Sequence, residues 1–148
     1  MSLDDFKFIF FWEYLHRLWA RFMGLVFVLP LIYFLFKNRI DKSLGLKLGI
    51  TFILALFVAS LGWIMVASGF VNRPWVSAYK LSFHLIAATI LLGYLLWTYL
   101  NYSYIKVVKN KINLFYLAFS CFIFIQLFFG GIMSGMKAGL VAPTWPSI

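Results

Sequence analysis

Glu13, His16, Arg17, Arg21 and His84 are the side chains whose types and spacing could do chemistry. The first four fall within Phe11-Trp12-Glu13-Tyr14-Leu15-His16-Arg17-Leu18-Trp19-Ala20-Arg21, at the start of a long apolar segment. A carboxylate takes up and releases protons, and an imidazole ligates metals or moves protons near neutral pH. A guanidinium grips a carboxylate or phosphate through paired hydrogen bonds. Residues three and four apart on a helix are neighbours, so Glu13, His16, Arg17 and Ala20 share one face if this stretch is helical. Charge is poorly solvated at a bilayer interface and worse within it. A greasy helix with such a stripe must therefore turn it towards protein, a cofactor or water.

The elements that position these groups follow from composition. Of 148 residues, 64% are hydrophobic and 11% charged, and the mean hydropathy is +0.95. Soluble domains are about 45–50% apolar and about 25% charged, so this composition is that of an integral membrane protein. Aromatic residues reach 22%, with 18 Phe and 6 Trp, which suits lipid-facing surface and interfacial belts. Trp63, Trp75, Trp97 and Trp145 read as interface anchors. The net charge of +9 does not point to nucleic acid. The basic residues lie in short stretches between apolar runs, where they set topology and meet anionic lipid. The one cysteine, Cys121, lies within an apolar run, so no internal disulfide and no CxxC pair exists.

A spanning helix needs about 20 mostly apolar residues. Four such helices are expected, over about 8–36, 48–71, 77–102 and 112–136. Together they make one all-α membrane domain over residues 1–148, a four-helix bundle. Pro30 lies inside the first helix, where a mild kink is tolerated. Ser77 is the expected N-cap of the third, and Asn72-Arg73-Pro74 is a turn signal before it. The stretches Lys37–Lys47 and Lys106–Lys111 hold seven Lys/Arg: Lys37, Arg39, Lys42, Lys47, Lys106, Lys109 and Lys111. The positive-inside rule places both in the cytoplasm and both chain ends outside. Met1–Lys7 carries Asp4 and Asp5 and is no basic signal-peptide start. The expectation is a preceding helix and a chain that is a fragment or the product of an internal start.

His16 and His84 are the only histidines. Each lies about seven or eight residues into a helix of the same direction, so the rise per residue places both imidazoles at a similar depth. Two neutral imidazoles at one depth on parallel helices can ligate the two faces of a haem iron. The plainer reading is an interhelical hydrogen bond. Ala20, Ala87 and Ala88, one turn beyond the histidines, leave room for a flat macrocycle. Arg17 and Arg21 either snorkel to the outer headgroups or clamp haem propionates. Glu13 either pairs with Arg17 at i,i+4 or handles protons beside a haem edge. Gly131, Gly135 and Gly139, with Ser134 and Ala138, form a small-residue stripe for close helix contact, and Gly49 and Gly62 are assigned to packing as well.

Four motifs in order carry a resemblance across nearly the whole chain. Glu13-Tyr14-Leu15-His16-Arg17 resembles the E-x-x-H-R motif of the haem A synthase family, the COX15/CtaA proteins. Gly62-Trp63-Ile64-Met65-Val66-Ala67-Ser68-Gly69 resembles the family's G-W-x-M-V-x-S-G stretch. Val76-Ser77-x-Tyr79-x-Leu81-x-x-His84-Leu85 is similar to its V-S-x-Y-x-L-x-x-H-L segment. Gly131-x-x-Ser134-Gly135-x-x-Ala138-Gly139-Leu140 with Thr144-Trp145-Pro146 is similar to its G-x-x-A-G-x-x-A-G-L and T-W-P elements. The opening residues resemble the mitochondrial and proteobacterial branch, which lacks paired extracellular cysteines. The chain departs from the pattern at Val58-Ala59, where members often have Gln-Gly, and at Ala142-Pro143, where Asn is common before the Thr.

The resemblance implies a fold of eight helices in two four-helix halves, each with a histidine pair, of which this chain covers the second to fifth helices. It implies that His16 and His84 are iron ligands at the haem O substrate site and that Glu13 is the catalytic carboxylate. A haem b site is then expected in the half not present here. The implied reaction oxidises the C8 methyl of haem O to a formyl group for cytochrome oxidase assembly. The implied setting is a bacterial or mitochondrial inner membrane, with membrane lipid, haem O and haem O synthase as partners and pairing of two chains as an option. The competing function is a bis-histidine b-type membrane cytochrome, or a haem-binding assembly subunit without catalysis.

Overall fold

A computed structural model describes residues 3–67, 76–103 and 113–140. Helix α1 is Leu3–Phe36, α2 Lys42–Ala67, α3 Ala78–Tyr102 and α4 Leu114–Gly135; a short 3-10 turn, Ala138–Leu140, follows α4. All four helices are long and apolar enough to cross a membrane, and no strand occurs among the described residues. The chain is thus all-α and a multi-pass membrane protein.

Burial is inverted relative to a soluble domain. Among the described residues no large hydrophobic side chain is buried; the buried residues are Thr51, Ser82, Thr98 and Gly131. Phe and Leu side chains along all four helices face outward. Such surface would drive association in water. In a bilayer, lipid tails cover it at no cost, and helices meet through their small residues instead.

The chain divides into two compact units, Met1–Leu48 and Gly49–Ile148, where the sequence suggests one domain. The first unit holds α1, a tight turn and the first residues of α2. α1 starts at Leu3 rather than near Phe8, because no glycine or proline interrupts residues 3–23. It continues through Pro30 to Phe36. Its end is a Schellman motif: Asn38 N–H donates to the Leu35 carbonyl (3.1 Å) and Arg39 N–H to that of Phe34 (3.0 Å). Asn38 supplies the left-handed residue, φ 52°, a conformation that asparagine tolerates better than most.

Asp41 then starts α2. Its carboxylate accepts the Leu44 N–H (3.3 Å) and its carbonyl that of Gly45 (2.9 Å). This cap moves the helix start from the expected Leu48 to Lys42. Lys42 and Lys47 therefore stand on α2, and only Lys37, Arg39 and Asp41 of the expected basic loop remain in the turn. The second basic stretch, Lys106–Lys111, lies outside the described residues, as do Asn72-Arg73-Pro74, Ser68-Gly69 and Thr144-Trp145-Pro146.

In the second unit, α3 and α4 cross closely on small residues. A Cβ on Gly131 would lie 2.9 Å from the Ser82 Cα, and one on Gly135 2.6 Å from the Ala78 Cα. The order of these pairs makes the two helices antiparallel. Each contributes two small residues four apart, so the backbones approach where any larger residue would collide. The Ser82 hydroxyl, fully buried there, donates to the Ala78 carbonyl of its own helix (3.1 Å). Phe83 and Phe128 meet edge to face beside this contact, centroids 5.7 Å apart. Gly139 meets nothing within 4 Å, so the stripe packs through two of its three glycines. Ser77 occupies the N-cap position of α3, but its side chain makes no capping hydrogen bond; Asn113 caps α4 by accepting the Phe115 N–H (3.1 Å).

Candidate functional site

On α1, one helix carries Glu13, His16, Arg17 and Arg21 within three turns. An Arg17 Nη2 donates to Glu13 Oε1 at 2.6 Å, the i,i+4 pair that helical spacing provides. Both side chains are over a third exposed, 39% and 38%. Such exposed pairs contribute well under about 1 kcal/mol to stability. The pair's effect is instead on charge: two ions become a neutral unit that an apolar helix can carry. The Arg17 Nε is buried without a hydrogen-bond partner among the described residues. The guanidinium thus keeps donors that Glu13 does not use. His16 and Arg21 are exposed.

Because α1 begins at Leu3, His16 stands about a turn and a half further along its helix than a start at Phe8 implies. Equal distance from the helix start is therefore no reason to pair it with His84. The motifs still are.

On α3, His84 is half-buried in the second turn. Its ring stands against α2 at Gly62: a Cβ there would lie 3.1 Å from Cε1, 3.5 Å from Nδ1 and 3.9 Å from Nε2. The sequence placed Gly62 in a helix contact, as for Gly131. The structure gives it a side-chain neighbour, and that neighbour is a candidate ligand. The available signal was Gly62-Trp63 within a motif that resembles the family's, not the spacing of glycines. Ala87 and Ala88 follow one turn on, half-buried.

The donor set suits a haem. Among the described residues no three His, Cys, Asp or Glu gather into a metal cage. A haem brings its own equatorial nitrogens and asks of the protein only axial ligands, for which neutral imidazole serves. At His84 the missing side chain of Gly62 is what leaves room for the imidazole ring.

Comparison with known proteins gives a consistent picture. A family model described as "Cytochrome oxidase assembly protein", COX15-CtaA, matches residues 1–148. Proteins named "Heme A synthase" from Flavobacterium johnsoniae and Nitrosospira multiformis are each 40% identical, over 98% and 99% of this chain and 43% of their own length. One from Ehrlichia canis is 41% identical over 99% of the chain and 43% of its length. The chain thus spans less than half of these curated relatives. No solved structure matches it.

Proposed function

The chain belongs to the COX15-CtaA family, and from that premise we propose that it carries the substrate side of a haem A synthase, where the C8 methyl of haem O is oxidised to a formyl group. The observation that carries this reading is identity of about 40% to proteins named Heme A synthase, sustained over nearly all of the chain. The haem would supply the reactive macrocycle and its redox-active iron. His16 and His84 would hold that iron. Gly62 keeps the space for the His84 ring.

Glu13 is the catalytic carboxylate. Oxidation of a methyl to a formyl takes an oxygen atom from water or O₂ and passes electrons to an external acceptor; a carboxylate beside the reacting edge would take up the protons released. Arg17 is the ion-pair partner of Glu13 and, with Arg21, offers donors to the haem propionates. The exposed apolar faces of all four helices seat the helices in lipid. Haem O synthase, as the source of the substrate, is the proposed partner, in a bacterial or mitochondrial inner membrane. The haem b site lies outside the part of the family fold this chain represents.

The test is expression beside haem O synthase in a strain lacking haem A synthase, followed by chromatography of extracted haems. Two forms are made: the 148-residue chain alone, and a chimaera in which it replaces the matched 43% of the Flavobacterium johnsoniae relative. Haem A is expected from the chimaera and little from the chain alone. A folded chimaera that accumulates haem b and haem O but no haem A overturns the reading in favour of a b-type cytochrome or assembly subunit.

A further inference from the structure

We infer that Gly62 is a positioning residue for His84: the imidazole occupies the place a side chain at Gly62 would take, and this close approach of α2 fixes the orientation of the ring plane. The inference rests on the haem reading above, because a ring orientation matters most where the ring is a ligand.

The glycines of this chain separate into kinds by what a side chain would meet. Gly131 and Gly135 face the backbone and small side chains of α3, so there the missing Cβ brings two helices together. Gly24, Gly49, Gly93, Gly130 and Gly139 have nothing within 4 Å. At Gly62 the three nearest atoms all belong to the His84 ring. Of the glycines whose surroundings are described, it alone borders a ligating side chain.

That border has a consequence for the ring. The terminal torsion of histidine is broad and weakly two-fold, so the side chain does not set its own plane. Something packed against the ring must do it. The face of α2 at Gly62 is such a wall, since the ring edge from Nδ1 through Cε1 to Nε2 lies within 4 Å of where a side chain would begin. A methyl at 3.1 Å from Cε1 is closer than carbon atoms ordinarily pack, about 3.5–4.0 Å. The cheapest relief is a turn of the ring about that soft torsion. A glycine inside a helix costs about 1 kcal/mol against alanine, so its presence in the last third of α2 is not explained by helix formation.

In a low-spin ferric haem with two axial imidazoles, the spread of the g-values depends on the angle between the ring planes. Orientation therefore has a readout separate from occupancy and from activity. The chain is loaded with haem in detergent, and Gly62→Ala is compared with Gly49→Ala, a control on the same helix with open space around it. Gly62→Ala is expected to shift the low-field g-value, or to lose the low-spin signal with the helical fold intact, while Gly49→Ala leaves the spectrum unchanged. Gly62→Ala with wild-type haem content and an unchanged g-tensor overturns the inference.

If Gly62→Ala fails to fold, the double variant Gly62→Ala/His84→Ala decides. Recovery of folding identifies the imidazole as what the methyl met, and continued failure overturns the inference. Should the unsubstituted chain give no low-spin signal, the haem reading fails by itself. The Gly62–His84 contact is then tested by coupling between the two substitutions in the stability of the haem-free chain, where additivity overturns it.

Discussion

His16 and His84 are held by different means, although a sequence treats them alike. His16 is exposed on α1, bracketed in sequence by the Glu13–Arg17 ion pair. His84 is half-buried on α3, with its ring where a side chain at Gly62 of α2 would lie. The orientation of His84 is therefore built by helix packing. That of His16 is left to whatever binds it, and its local determinants are charges on its own helix. One ligand candidate is pre-organised and the other is not, which is a division that pre-organisation arguments about affinity make measurable.

The largest expected effect tests both halves of that comparison. His16→Ala and His84→Ala should each abolish the low-spin bis-histidine absorption of the haem-loaded protein, since either removes half of the axial field. Free imidazole should then separate them. It should restore the low-spin spectrum of His84→Ala at a several-fold lower concentration than that of His16→Ala, because a ring-shaped space beside Gly62 remains. Equal rescue breaks the comparison, and an unaltered spectrum in either variant removes that residue from the ligand set.

Next in size is the carboxylate. Glu13→Gln keeps the shape of the side chain and removes its charge. In the chimaera it should lower haem A formation by about 10²–10⁴-fold, the usual worth of a positioned acid–base group. The low-spin spectrum should stay as it was. If Glu13→Gln loses the haem instead, the Glu13–Arg17 pair holds the binding stripe together and is not catalytic machinery.

The helix contacts give smaller effects, measured by unfolding in detergent. Gly135→Ala would bring a Cβ to 2.6 Å from the Ala78 Cα, and overpacking of that kind costs about 1–3 kcal/mol. Gly93→Ala meets nothing within 4 Å, so helix propensity should stabilise the chain by up to about 1 kcal/mol. Opposite signs at two helical glycines are expected. Equal signs mean that the α3–α4 crossing does not depend on close backbone approach.

What was legible in the sequence follows the same division. The class and number of the helices were plain, because runs such as Leu114–Gly135 leave no polar alternative. The Gly131 and Gly135 contact was legible from spacing, since small residues four apart have one common use in a membrane. The start of α2 was not. Lys42 and Lys47 drew attention as loop charges, while the decisive group was the Asp41 carboxylate, which caps the helix at Leu44. Gly62 was legible only as a packing residue, for a related reason. A glycine in a sequence shows that space is needed, not whether backbone or an imidazole fills it. The Glu13–Arg17 pair was legible as one of two readings, because i,i+4 spacing permits the bond without requiring it.

The caps give the smallest and most local test, one from each unit. At Asp41 the carboxylate takes the Leu44 N–H, one of the donors a helix start leaves open. At Ser77 the hydroxyl makes no such bond, although the residue type and its extended backbone, φ −60° and ψ 125°, are those of an N-cap. Asp41→Ala should therefore cost about 1 kcal/mol. Part of that is the loss of a negative charge from the positive end of the α2 dipole, and that part should shrink as salt is added. Ser77→Ala should be close to neutral at every salt concentration. The measurement is unfolding in detergent at low and high ionic strength, with helicity as the signal. A cost at Ser77 equal to that at Asp41 would mean that the serine hydroxyl caps α3 after all, and that the start of this helix, two turns before His84, is held more firmly than its hydrogen bonds suggest.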